Sequence, residues 1–179
     1  MKLKTGTAFA IMVVLIIASV LFGAYKGWSG EKAHVDATYA GLESMLQTRV
    51  ETAYNILSVA KRHLSDTDEG YLRVVMDRDE IDNQYNDLSR KAKANDALTK
   101  DAAALLAQLK AMESVQKDSR DKMYVESYLP QMLAESEERT VGAVYNQAAA
   151  NFNNRINGTF SGFLAKLMGI KPASVFSAQ

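Results

Sequence analysis

The sequence predicts an all-α fold: a transmembrane helix, then an elongated antiparallel four-helix bundle, then a short C-terminal amphipathic helix. Three observations predict it. An uncharged apolar run occupies residues 5–25, apolar residues afterwards recur at helical spacing without strand-like alternation, and the chain holds only 2 prolines and 10 glycines. With 179 residues, 47% of them apolar, the chain suffices for one ordinary domain plus an appendage. It divides into a basic stub at 1–4, a transmembrane anchor at 5–25, a juxtamembrane linker at 26–30 and a helical domain at 31–179.

The anchor centres on AFAIMVVLIIASVLFGA, with Phe9, Ile11, Val14, Leu15, Ile17, Leu21 and Phe22 expected in lipid. About 20 residues rising about 1.5 Å each cross a hydrocarbon core of about 30 Å. A cleaved signal peptide is the competing reading, because Lys2 and Lys4 resemble a basic leader. The run is longer than a usual leader core, however, and Phe22–Ala24 makes a poor cleavage site. Tyr25 and Trp28 fall where an interfacial aromatic belt belongs, with Lys26 beside them to snorkel. Lys2, Lys4 and the amine precede the span, whereas Lys26 and Lys32 follow it. The positive-inside rule therefore leans towards N-in and C-out at a cell membrane.

Leu42, Leu46, Val50, Ala53, Leu57, Ala60 and Leu64 step by three or four residues and draw one apolar face along a helix over 31–64. The turn SDTDEG, Ser65 to Gly70, stops it. A second helix over 71–93 carries Leu72, Val75, Ile81, Tyr85 and Leu88. Asn95 and Asp96 cap a third, with Ala97, Leu98, Leu105, Leu106 and Leu109 inside. Ser119 or Asp121 opens a fourth, which passes Pro130 and continues through Leu133, Val141, Val144, Ala148 and Phe152. Pro130 removes a backbone donor and is expected to kink or interrupt that helix near Glu126. Four amphipathic helices with short joints bury their stripes most simply as an antiparallel bundle, with Met45, Met112, Met123, Met132 and Met168 as core filler.

Several chemistries are disfavoured. The chain has no cysteine, which removes disulfides, thiolate metal sites and cysteine nucleophiles. Setting aside Lys2 and Lys4 leaves 19 basic against 21 acidic residues, so no basic field remains to hold a nucleic acid. Glu31 and His34 have the Glu-x-x-His spacing of di-metal bundles. The other histidine, His63, is preceded at that spacing by Ala60, so no metal or cofactor site is expected. The Asp66–Gly70 stretch and the run Asp77, Asp79, Glu80, Asp82 mimic calcium loops without a glycine in register; they read as a solvated turn and a solvated helix face. No Gly-x-Ser-x-Gly elbow and no Gly-rich phosphate loop occurs, and with two histidines no catalytic residue is expected.

Phe160, Phe163, Leu164, Leu167 and Met168 make one side of a short helix wholly apolar, with Thr159 as its cap and Gly169 and Pro172 as its end. Such a helix plugs the end of the bundle, or dips into a membrane or a partner's groove. Its one cation, Lys166, argues against attachment to lipid by charge. Glu137 lies four residues from both Leu133 and Val141. It is an inward hydrogen-bonding point, a functional carboxylate, or a residue at the stripe's edge. Asparagines crowd positions 146, 151, 153, 154 and 157, although Asn is a poor helix former.

Tyr145-Asn146, Asn153 and Leu164-Ala165…Gly169-Ile170-Lys171-Pro172…Phe176 resemble the C-terminal signature of LemA family proteins. Leu133…Glu137 is similar to the family's Leu-x-x-x-Glu step, and Tyr39…Glu43…Leu46-Gln47-Thr48-Arg49 to its first helix. Ile170 stands where the family has an aromatic and Tyr39 where it has tryptophan, which marks a divergent member. The resemblance implies a membrane-anchored helical bundle in a bacterial envelope, without established enzymatic activity or catalytic residues to transfer. Asn146 and Asn153 are then expected to be partly buried and paired, fixing helix register. The functional expectation is a non-enzymatic structural or protein-interaction module, with the bilayer and a protein partner or a second copy as its contacts. The competing expectation is an envelope sensor that binds a small ligand above Glu137 and the tail.

Overall fold

The computed structural model describes residues 5–139 and 142–178. The basic stub at 1–4, with Lys2 and Lys4, and Val141 of the fourth-helix stripe lie outside the described residues. Among the described residues every regular element is helical: α1 (Thr5–Ala60), α2 (Glu69–Asp82), α3 (Leu88–Ala111), α4 (Glu113–Lys117), α5 (Ser119–Met123), a π-helical turn (Tyr124–Tyr128), α6 (Leu129–Arg139), α7 (Ala143–Gly158) and α8 (Phe160–Leu167).

Helix α1 runs unbroken for 56 residues, so the expected linker at 26–30 is helical. Gly27 and Gly30 keep negative φ, and a Cβ added at either would meet open space. The N-terminal part of α1 is long and apolar enough to cross a membrane. Phe9, Ile11, Val14, Leu15, Ile17 and Phe22 are all exposed there, whereas Leu21 is half-buried.

The chain divides into two compact units, and the first comprises Met1–Thr38 with Asn146–Ser174. Its core is Trp28, Val35, Ala149, Phe152, Ile156 and Ala165. The Trp28 ring meets Phe152 edge-on at 5.8 Å, and the Arg155 guanidinium lies 5.7 Å over the same indole. Trp28 is therefore a core residue and not part of an aromatic belt, while Tyr25 stays exposed. Arg155 also pairs with Glu31 at 2.9 Å. Asn153 clamps the tail in this unit: its amide nitrogen donates to the Ala173 carbonyl at 2.8 Å, and its oxygen accepts from the Ala173 N–H at 2.7 Å. Asn146 is half-buried and partnered. Asn153 thus exchanges helix propensity for tertiary hydrogen bonds.

Helix α8 starts at its expected cap, with the Thr159 hydroxyl accepting from the Gly162 N–H. It closes in a Schellman motif, in which Ile170 N–H bonds the Ala165 carbonyl and Gly169, at φ +91°, bonds Lys166. Its orientation is the reverse of a plug. Gly162 and Ala165 face inward, and Phe160, Phe163 and Leu167 are exposed, with Leu164 and Met168 half-buried. Gly162 causes this, because a Cβ there would stand 2.2 Å from the Ile156 carbonyl oxygen. Only the small-residue face fits that close an approach.

The second unit comprises Tyr39–Tyr145 with Val175–Gln179. The α1 stripe is buried as expected from Leu42 through Ala60, with Leu64 half-buried beyond the helix end. Helix α2 packs on α3, and α3 also touches α6 and the π turn. Asp68, Asp87 and Asp118 cap α2, α3 and α5 by accepting backbone N–H bonds. The third helix consequently opens at Leu88 and not at Asn95 or Asp96. Residues 83–87 break the expected second helix, so Val74 and Ile81 are buried while Leu72 and Tyr85 are exposed.

The expected fourth helix is several pieces. Gly142, at φ +63°, interrupts it, and a Cβ there would lie 2.7 Å from the Phe176 ring. This break moves the α7 stripe onto Tyr145, Ala149, Phe152 and Ile156, leaving Val144 exposed. The interruption expected near Glu126 is the π turn, where the Leu129 N–H reaches back to the Tyr124 carbonyl immediately before Pro130. None of the five methionines named as filler is fully buried: Met123 and Met132 are exposed, and Met45, Met112 and Met168 are half-buried.

Candidate functional site

The second unit is organised around Arg49, which projects from α1 with 0% exposure. Its Nε donates to Asn95 Oδ1 at 2.8 Å. Nη1 donates to the Leu133 carbonyl at 3.3 Å and to Ser136 Oγ at 3.1 Å. Nη2 donates to the Asn95 carbonyl at 3.1 Å and to Thr99 Oγ1 at 2.6 Å. All five N–H groups of the guanidinium are thereby satisfied by neutral oxygens of α3 and α6. Burial pulls the Arg49 pKa down, and the charges of Glu137 and Asp96 oppose that pull.

Two grooves adjoin this hub. One, of about 450 Å³, is lined by Thr99, Leu106, Val125, Pro130, Leu133 and Glu137 among others. The other, of about 240 Å³, joins Asn95, Asp96 and Glu137 to Phe176, Ser177 and Ala178. Glu137 is exposed at the rim of both and not inward. Tyr145 and Phe176 are buried, and Tyr145 packs edge-on against Tyr39 at 5.8 Å. The Tyr39 phenol is raised above its ordinary value by burial and by nearby Glu43. Phe163, Leu164, Leu167, Gly169 and Asn153 belong to the first unit, with the tail helix.

A second polar cluster was not visible in the sequence. Asp121 on α5, 0% exposed, accepts two bonds from Arg62, at 2.8 and 2.7 Å, and one from His63 Nε2 at 2.9 Å. His63 Nδ1 lies 3.1 Å from Ser114 Oγ. Serine, histidine and aspartate follow one another as in a nucleophilic triad, but through the opposite ring nitrogens, with the carboxylate on Nε2 and the hydroxyl on Nδ1. The carboxylate, however, is engaged by a bidentate arginine, and Ser114 sits exposed at the start of α4. The cluster acts as a clip that fastens the end of α1 to α5.

Asp77 also differs from its sequence reading as part of a solvated face. It is half-buried on α2, its Oδ2 has no hydrogen-bond partner, and desolvation with the facing Asp101 carboxylate pushes its pKa up to about 6. A raised folded-state pKa stabilises fully below the unfolded value near 3.8, and that stabilisation is lost as pH rises through about 6. Asp77→Asn is therefore expected to raise unfolding stability at pH 8 by roughly 2 kcal/mol and to leave no gain at pH 4. Denaturant melts at both pH values measure this; an equal effect at each would remove Asp77 as the cause.

Most residues that carried the sequence resemblance now have a place. Arg49 is the hub, Glu137 rims both grooves, Tyr145 and Phe176 are buried, and Asn153 clamps the tail. The LemA family model matches residues 38–179. The chain belongs to the LemA family. No curated protein and no solved structure matches it. The LemA match spans Arg49, both grooves and α8, and leaves the apolar segment of α1 outside. The LemA sequence did carry one unused signal: Leu46, Arg49, Val50 and Ala53 follow i, i+3, i+4, i+7, which places a cation on the apolar stripe.

Proposed function

We propose that this LemA-family chain is a single-pass, membrane-anchored helical module that acts without catalysis, through structure or protein interaction, at a bacterial cell membrane. The observation that carries the proposal is the exposed run Phe9 to Phe22 on the helix that later supplies the buried stripe Leu42 to Ala60. Water tolerates no such exposed run, and about 20 apolar residues match a hydrocarbon core of about 30 Å. In the second unit, α1, α2, α3 and α6 form an antiparallel four-helix arrangement; the α2–α3 packing and the Arg49 bonds to α3 and α6 support it. The N-in, C-out orientation follows from the lysines flanking the span.

Carbonate washing of membranes from cells expressing the full chain tests the anchor. Retention in the pellet is expected, and recovery in the supernatant overturns it. Cross-linking in the same membranes is expected to capture a specific partner or a second copy. A second reading, an envelope sensor, is favoured by the groove that Glu137 shares with Phe176, Ser177 and Ala178. It expects a metabolite to shift the melting of the purified full chain, and a screen without any shift retires it.

A further inference from the structure

We infer that α8 is a second membrane contact, lying in the headgroup boundary of the same bilayer that the α1 span crosses. The inference rests on that anchor. Its two faces divide the labour: Gly162 and Ala165 are buried within the unit, while Phe160, Phe163 and Leu167 are 75%, 52% and 69% exposed. The Phe160 and Phe163 rings stack at 6.4 Å, so they present one apolar ridge. Such a ridge in water exposes the largest side chains of a helix whose small residues are hidden, the inverse of a soluble surface helix.

Position names the occupant. Helix α7 runs antiparallel to α1, because Tyr145 near its start meets Tyr39 while Phe152 further along meets Trp28, earlier on α1. From Phe152 to the end of α7 at Gly158 is about 9 Å of helix. The same distance back along α1 from Trp28 reaches Phe22, in the exposed apolar span. Leu21 and Ala24 are only partly exposed there, although most of the surrounding span is open. Thr159 then redirects the chain into α8 at this level. The ridge therefore starts at the level of the apolar span, which the proposed anchor puts in lipid. Lys166, bonded to Asn157 at 3.2 Å, is its one cation, so the attraction is apolar and operates on zwitterionic lipid.

The absence of native cysteine allows single-site labelling. Full chains carrying Leu15→Cys, Phe163→Cys, Leu167→Cys or Ala37→Cys are labelled with an environment-sensitive fluorophore and reconstituted in phosphatidylcholine vesicles. The lipids carry a nitroxide quencher near the headgroup or near the chain end. The expected result is about twofold quenching at 163 and 167, stronger with the shallow quencher than the deep one, as for a helix seated in the interface. The deep quencher is expected to act at 15, and neither at the exposed Ala37. Quenching at 15 without quenching at 163 and 167 overturns the inference and leaves the anchor standing. In that outcome disulfide-linked dimers through position 163 identify a second copy as the occupant. Quenching at none of the positions overturns the anchor and the inference together, and equal quenching at 37 overturns the inference.

Discussion

Arg49→Met is expected to lower the unfolding free energy of the full chain by about 3–4 kcal/mol, the largest single-residue effect in the second unit. Met nearly fills the same volume, so a cavity is not the main term. The loss comes from the oxygens left behind, since Asn95, Thr99, Leu133 and Ser136 supply five acceptor bonds to the guanidinium in a site with 0% exposure. Arg49→Lys is expected to recover less than half of the loss, because one ammonium with three donors does not span α3 and α6 as the planar fork does. Urea denaturation of the detergent-solubilised chain measures both. A methionine variant as stable as the parent would mean that the desolvation of Arg49 cancels its hydrogen bonds, and that packing alone holds these helices.

Asp121→Asn is expected to remove about 2 kcal/mol at pH 7 and to change the shape of the acid limb. Its bonds from Arg62, opposed by burial and aided by His63, hold the Asp121 carboxyl well below the usual carboxylate range. A depressed folded-state pKa gives stability that is present above the unfolded value near 3.8 and lost as pH falls further. The parent chain should therefore lose stability steeply below pH about 4, while the asparagine variant shows a flatter profile there. Denaturation midpoints at pH 7 and at pH 3 decide the matter, and parallel declines in both proteins would exclude Asp121 as the group responsible.

Legibility in the sequence followed the range of the interactions. The α1 stripe, the Thr159 cap and the Gly169 stop are set within one or two helical turns, and each stands where periodicity and capping put it; the turn between α1 and α2 comes earlier than expected, with α1 ending at Ala60 and α2 opening at Glu69. Phase was lost wherever a single residue re-aimed the chain. Gly142 did so by its positive φ, and Asp87 did so by capping α3 well ahead of the expected Asn95 or Asp96. The facing of α8 depends on a close approach between Gly162 and Ile156 that no amphipathicity pattern encodes. The Asp121 clip and the Asp77–Asp101 pair join residues far apart in sequence, which leaves no local mark.

The π-helical turn at Tyr124–Tyr128 carries a consequence for counting along the chain. Asp121, Val125, Leu129 and Leu133 are all buried although they are spaced by four each time. In a regular α-helix each four-residue step overshoots a full turn by about 40°, so three such steps would swing the last residue about 120° away from the first. The wider turn absorbs that drift as one surplus residue. Shortening this loop of backbone by a single position would rotate everything downstream by about 100°. A wheel diagram drawn straight through it mislabels α6, and a relative lacking that surplus residue would have to shelter a different set of side chains.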